Sequence, residues 1–178
     1  MDPKSYTVLF LIISSAVAAC FFIAPFVSPY GSFTNLDGTP GVMDHWDIWS
    51  EKDPFTCIVY SIGDVSCHQK EVRTFILNGS EMPVCVRDTG LLLGFVMGCS
   101  FLLSAMGQVF TEKHGKQFII ISILLIVIDW IIQFCLELNV PFTRLMTGML
   151  AGVGFAMLIH LWMRKIYYVE SERQGREP

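Results

Sequence analysis

Four side chains that can bind metal or exchange electrons lie in two short segments of the sequence. Cys67 and His68 form the first pair, and Cys85 and Asp88 form the second. Two thiols, an imidazole and a carboxylate can complete a tetrahedral zinc shell, although the spacing matches no standard zinc module. In an oxidising compartment, the two thiols can instead form a disulfide. The residues predict a zinc site or a Cys67–Cys85 disulfide, and an extracytoplasmic location favours the disulfide.

A second set of polar residues lies in otherwise apolar segments. Asp129, Gln133 and Glu137 recur every four residues, so they share one helix face. Ionisable groups within a bilayer normally face the bundle interior or water. Arg144 is the expected partner of Glu137. We expect a polar lining of the outer half of the bundle formed by Arg87, Asp129, Gln133 and Arg144. It would bind an anionic headgroup, relay an ion or proton, or hold helix ends together through ion pairs.

The composition indicates a membrane protein. Of the 178 residues, 53% are hydrophobic and only 16% are charged, a balance that soluble domains of this size rarely show. The net charge of −4 and the absence of a long basic run argue against a nucleic-acid partner. The expected partner is therefore the lipid bilayer.

Four stretches have about the 20 largely apolar residues that a membrane-spanning helix needs. They are residues 6–27, 89–110, 118–138 and 145–163. The apolar run of the first stretch is longer than that of a signal peptide, so we expect an anchor helix that is not cleaved. The predicted fold is an all-α integral membrane protein in which residues 1–178 form one four-span domain.

The positions of Lys and Arg predict the orientation. Seven of these residues lie on the side of the two termini, close to helix ends, and five lie on the other side. We expect both termini in the cytoplasm, with residues 164–178 as a cytoplasmic tail. Residues 28–88 would then form an extracytoplasmic loop.

The loop should contain a short helix and a β-hairpin. Asp53-Pro54 is a typical helix start, because the carboxylate can cap the helix and proline suits its first position. Asn78-Gly79 favours the positive φ angles of a tight hairpin turn, with strands at 74–77 and 80–84. This hairpin would bring the two Cys-bearing segments together.

Glycines recur at four-residue spacing in the second and fourth predicted spans. They are Gly90, Gly94 and Gly98 in the second, and Gly148 and Gly152 in the fourth. Small residues at this spacing let two helix backbones approach closely. We expect these two helices to touch at the glycines; a protein partner or a second copy could also bind through such faces.

The sequence resembles a family of small prokaryotic integral membrane proteins of unknown function. Their signature is Cys-His-Gln followed by Cys-x-Arg-Cys-Thr-Gly, and this chain has Cys67-His68-Gln69 and then Cys85-Val86-Arg87-Asp88-Thr89-Gly90. Asp88 stands where the family has its second cysteine, which argues against a redox-active Cys-x-x-Cys. A carboxylate can still replace a thiolate at zinc. The resemblance implies membrane insertion and no established activity.

No familiar catalytic motif is present in the sequence. We therefore expect a binding or accessory membrane protein with a Cys/His-centred extracytoplasmic site, and not an enzyme. The alternatives are a membrane enzyme, either a thiol oxidoreductase or a metal-dependent hydrolase, and a transporter of a small solute or ion.

Overall fold

The computed structural model describes residues 2–39, 41–67, 71–136, 140–173 and 175, with only the backbone of Glu71. Within these ranges the chain is mostly helical and has one two-stranded sheet. The elements are α1 (Pro3–Val27), α2 (Trp46–Ser50), α3 (Pro54–Ser66), β1 (Thr74–Leu77), β2 (Ser80–Cys85), α4 (Val86–Leu102), α5 (Ala105–Cys135) and α6 (Pro141–Arg173). A short 3₁₀ turn, Glu71–Arg73, precedes β1.

Three helices in the described part of the chain are long and apolar enough to cross a membrane. They are α1, α5 and α6, with 25, 31 and 33 residues. Helix α4 has 17 residues, or about 25 Å at 1.5 Å per residue, and hydrocarbon is about 30 Å thick. Three of the four predicted spans meet the length requirement, and the crossing by α4 remains a prediction.

The second and third predicted spans have different boundaries in the structure. The sequence predicted one helix over residues 89–110, whereas α4 ends at Leu102 and α5 begins at Ala105. The break lies at Ser104, which caps α5: its hydroxyl accepts a hydrogen bond from the Gly107 N–H at 3.0 Å. A capping hydroxyl takes up a helix-terminal donor that would otherwise lack a partner. Residues 105–110 therefore belong to α5.

Helices α4 and α6 approach closely along a line of glycines: Gly90, Gly94 and Gly98 on α4, and Gly148 and Gly152 on α6. A Cβ atom added to Gly94 would lie 2.7 Å from the Cα atom of Met149. Carbon atoms normally approach to about 3.5–4.0 Å, so only glycine allows this separation. In the structure these two glycine faces contact each other within one chain.

The long loop between α1 and α4 has an aromatic core that packs on the end of α1. Its buried residues are Phe33, Leu36, Trp49, Val59, Tyr60, Met82 and Val84, together with Phe21 and Ala24 of α1. The two tryptophans of this loop have different environments. Trp49 is fully buried in the core, whereas Trp46 is 54% exposed.

A buried carboxylate holds this loop in place. Asp64 is completely buried and accepts hydrogen bonds from Trp49 Nε1 at 3.1 Å and from the His45 backbone N–H at 3.0 Å. The His45 Nδ1 atom lies 3.1 Å from the same carboxylate. These contacts tie α2 to α3, which begins at the predicted Asp53 cap.

The predicted hairpin is confirmed. Strands β1 and β2 are antiparallel and joined by Asn78 and Gly79, which have φ values of 52° and 69°. The Asn78 amide donates to the carbonyl oxygen atoms of Pro25 and Ser28, which fixes the hairpin tip to the end of α1. A register shift between Thr74 and Ile76 pairs Thr74 with Cys85. Cys85 ends β2, and α4 follows with no intervening loop.

Candidate functional site

Cys67, Cys85 and Asp88 converge where α3, β2 and α4 meet. One ligand atom from each residue lies within 4.8 Å of the others. The Cys85 backbone N–H donates to Cys67 Sγ at 3.3 Å, and Cys85 Sγ donates to an Asp88 carboxylate oxygen at 3.1 Å. Cys67 is buried, and Cys85 and Asp88 are half-buried. Two sulfur atoms and one oxygen atom therefore face the same small space.

A glycine in α3 positions the two cysteines. A Cβ atom on Gly63 would lie 2.8 Å from the carbonyl carbon of Pro83 in β2. Only glycine lets α3 lie this close to β2. The Cys67 N–H then bonds to the Gly63 carbonyl at 2.9 Å, one turn further along α3. Because Cys85 lies two residues after Pro83, the close contact brings both sulfur atoms together.

The environment makes the Cys85 thiol easier to deprotonate. Hydrogen bonding from the Cys67 side chain lowers the pKa of the Cys85 thiol. This effect outweighs burial and the negative charge of Asp88, both of which raise the pKa. Metal ions bind the thiolate form of cysteine, so a lowered pKa assists metal binding.

Next to the sulfur atoms, a hydrogen-bonded network joins α4, α5 and α6. An Arg87 Nη atom donates to Asp129 at 2.8 Å, and Gln133 Nε2 donates to the other Asp129 oxygen at 2.6 Å. Gln133 also accepts a hydrogen bond from Arg144 Nε. Asp129, Gln133 and Arg144 are each less than one-tenth exposed. Asp129 and Gln133 of α5 thus face the interior of the bundle.

A cavity of about 320 Å³ connects the sulfur pair with this network. It is lined by Ser66, Cys67, Arg73, Cys85, Arg87, Asp88, Trp130, Gln133, Phe134 and Arg144. This volume is at the lower end of the range of about 300–1,000 Å³ that small-molecule sites occupy. The arrangement can hold a metal ion at one wall and a small anionic group at another.

Comparison with known proteins gives the family. The family model described as "Predicted membrane protein (DUF2085)" matches residues 67–158, just over half of the chain. The chain belongs to the DUF2085 family. The matched segment contains both cysteines, Asp88 and the arginine–aspartate network. Membership of this family identifies the chain as a membrane protein.

Two relatives of this DUF2085 protein are uncharacterized archaeal proteins. One, from Methanothermobacter thermautotrophicus, is 28% identical over 107 residues, which cover 58% of this chain and 92% of the relative. The other, from Methanocaldococcus jannaschii, is 25% identical over 151 residues, which cover 84% of this chain and 86% of the relative. No solved structure matches the chain.

Two residues proposed from the sequence lie outside the described part of the DUF2085 chain. They are His68, a candidate metal ligand, and Glu137, the expected partner of Arg144. Within the described residues, Arg144 bonds to Gln133, which is four positions before Glu137 in the sequence.

Sequence reasoning overlooked four residues of the cavity: Ser66, Arg73, Trp130 and Phe134. A signal for Arg73 was present, because the Asn78-Gly79 turn pairs the start of β1 with the end of β2. The register shift in β1 pairs Thr74 with Cys85 and so places Arg73 next to the start of α4. Trp130 follows Asp129 directly, but an aromatic residue in an apolar helix gives no signal of a cavity.

Proposed function

We propose that this DUF2085 protein is a membrane-embedded metal-binding protein whose site holds a zinc-type ion between Cys67, Cys85 and Asp88. The observation that carries this proposal is the convergence of three donor atoms within 4.8 Å beside a cavity. In this function the chain acts as a binding or accessory component of the membrane.

The donor set fits the chemistry of zinc. Zinc takes thiolate sulfur at about 2.3 Å and carboxylate oxygen at about 2.0–2.2 Å in a tetrahedral shell. Three protein ligands leave one position for His68 or for a molecule in the cavity. The hydrogen bond from the Cys85 N–H to Cys67 Sγ would support such a shell, because outer hydrogen bonds orient metal ligands.

A Cys67–Cys85 disulfide is the alternative for the same two sulfur atoms. It would need neither the carboxylate of Asp88 nor its contact with Cys85 Sγ at 3.1 Å. That contact adds a third donor to the pair, and for this reason we prefer the metal. The two states exclude each other, since sulfur atoms in a disulfide are not thiolates.

The proposal includes four membrane crossings, with both termini in the cytoplasm and the Cys-bearing loop outside. Helix α4 lies against α6 along its whole glycine line, which supports a path through the bilayer parallel to α6. Reporter fusions after residue 173 and within residues 34–39 test the orientation. Cytoplasmic signals from both positions would contradict it.

Metal analysis of the full chain tests the central claim. We expect about one zinc ion per chain in protein purified in non-ionic detergent without chelator. The ion should be lost in Cys67→Ser and bound more weakly in Asp88→Ala. Cys135→Ser is the matched control, because Cys135 is an exposed thiol on α5.

Mass spectrometry without reductant on the same preparation separates the alternatives. A peptide pair linked through Cys67 and Cys85, in protein that carries no metal, would refute the metal site and establish the disulfide. Metal retained equally by Cys67→Ser and the wild type would refute this ligand set.

A further inference from the structure

The arginines of the cavity form a second site beside the sulfur pair. Arg73, Arg87 and Arg144 all line the cavity, but only Arg87 is in a salt bridge with a carboxylate among the described residues. Arg144 uses its Nε atom to bind Gln133, which is neutral, and is only 6% exposed. Among the described residues no carboxylate pairs with Arg144, and a buried guanidinium is stabilised by a negatively charged ligand.

Arg87 also has an unused donor. Its Nε atom is buried and has no hydrogen-bond partner within the described residues, although its Nη atom binds Asp129. Buried N–H groups in proteins nearly always have an acceptor. The start of α4 lies at the same wall of the cavity, and the positive end of the helix dipole also favours an anion there.

The charges of the described site leave an excess of one positive charge. Three guanidinium groups face the two carboxylates of Asp88 and Asp129. This balance is the same for three states of the sulfur atoms. A divalent zinc ion would be offset by two thiolates, and a disulfide or two thiols are neutral.

We infer that this cavity binds a phosphate-class anion, held by Arg73 and Arg144 with Arg87 at the wall. Guanidinium groups bind the oxygen atoms of phosphate through paired hydrogen bonds, and several of them around one site match a tetrahedral oxyanion. The site is separate from the proposed metal ligands and does not depend on them.

Two aromatic residues suggest where the ligand could come from. Trp130 and Phe134 line the cavity and stack with ring centroids 5.5 Å apart, and they are 55% and 72% exposed on α5. Exposed aromatic rings on an apolar helix face lipid. The cavity is thus bordered by cations on one side and by a lipid-facing surface on the other. Its phosphate group can belong to a lipid headgroup or to a soluble molecule.

Two probes distinguish these sources. Equilibrium dialysis of the full chain in non-ionic detergent measures binding of labelled inorganic phosphate. Native mass spectrometry of protein from phosphatidylcholine nanodiscs that contain some phosphatidic acid measures selective retention of a phosphomonoester lipid. Binding of the first probe indicates a soluble ligand, and retention of the second indicates a lipid.

The decisive variant is Arg73→Gln. Arg73 is exposed in the turn before β1, so its loss should leave the melting temperature unchanged. We expect Arg73→Gln to weaken the affinity for the probe that the wild type binds by about 10- to 100-fold. Arg144→Gln should also weaken this affinity. Arg164→Gln is the matched control, because it makes the same change near the other end of α6, where Arg164 pairs with Glu112.

Equal binding by the wild type and Arg73→Gln would overturn the inference, as would a wild-type protein that binds neither probe. Metal content is measured on the same samples. Phosphate binding by a protein without zinc would refute the metal proposal and leave the anion site standing. A zinc-loaded protein that binds neither probe would refute the anion site and leave the metal proposal standing.

Discussion

The contact between α4 and α6 predicts the effect of a single methyl group. In Gly94→Ala, the new Cβ atom would lie 2.7 Å from the Cα atom of Met149, against an ordinary carbon contact of about 3.5 Å. The helices must therefore separate by about 1 Å, which weakens every neighbouring contact along the glycine line by about a quarter to a half. Overpacking of this kind typically costs about 1–3 kcal/mol. We expect Gly94→Ala to lower the free energy of unfolding by this amount.

Unfolding by sodium dodecyl sulfate in mixed micelles, followed by circular dichroism, measures this loss. Gly115→Ala is the matched control on α5. Its Cβ atom would meet only the side-chain ends of Thr111 at 3.1 Å and Leu161 at 3.4 Å, both of which can move. We expect less than about 0.5 kcal/mol for the control. If Gly94→Ala unfolds at the same detergent fraction as Gly115→Ala, the close backbone contact is not present in the protein.

Three further predictions concern single contacts. Arg87→Met leaves the Asp129 carboxylate, which is 8% exposed, without its cation and should lower the free energy of unfolding by about 3 kcal/mol. Adding Asp129→Leu should recover much of this loss. Additive losses in the same unfolding assay would contradict this prediction. The Asp53 cap should add about 1 kcal/mol of stability over Asp53→Ala at neutral pH. Because the hydrogen bonds of the cap lower the pKa of Asp53, this advantage should shrink as the pH falls below about 4, and a constant difference in thermal unfolding would count against it. Gly63→Ala should reduce metal content without changing a ligand, since α3 must move away from β2; full metal retention would refute that role.

Local signals in the sequence predicted local structure well. Asn78-Gly79 determined the hairpin, because few residues tolerate two successive positive φ angles. Asp53-Pro54 predicted the start of α3 within one residue, because a cap and its helix are adjacent in the chain. Long apolar runs identified α1, α5 and α6 as candidate spans, since hydrocarbon requires that composition.

Features that depend on distant contacts were not predictable in this way. Ser104 looks like any small polar residue in an apolar run, and only its bond to Gly107 shows that it separates two helices. The contact of Gly63 with Pro83 depends on how α3 lies on the hairpin. The cavity at Arg73 forms only when four helices and a strand are in place, so no pattern in one segment predicts it.

If α4 crosses the bilayer as proposed, its direct junction with β2 connects the sulfur atoms to the membrane. Since Cys85 is followed at once by α4, a change in the tilt of α4 must displace Cys85 relative to Cys67. Helix tilt responds to membrane thickness, and α4 is the shortest of the four proposed spans. Zinc retention should therefore differ between nanodiscs of short-chain and long-chain lipid, and equal retention would contradict this coupling. In this proposal, lipid chain length would regulate the chemistry of two cysteines.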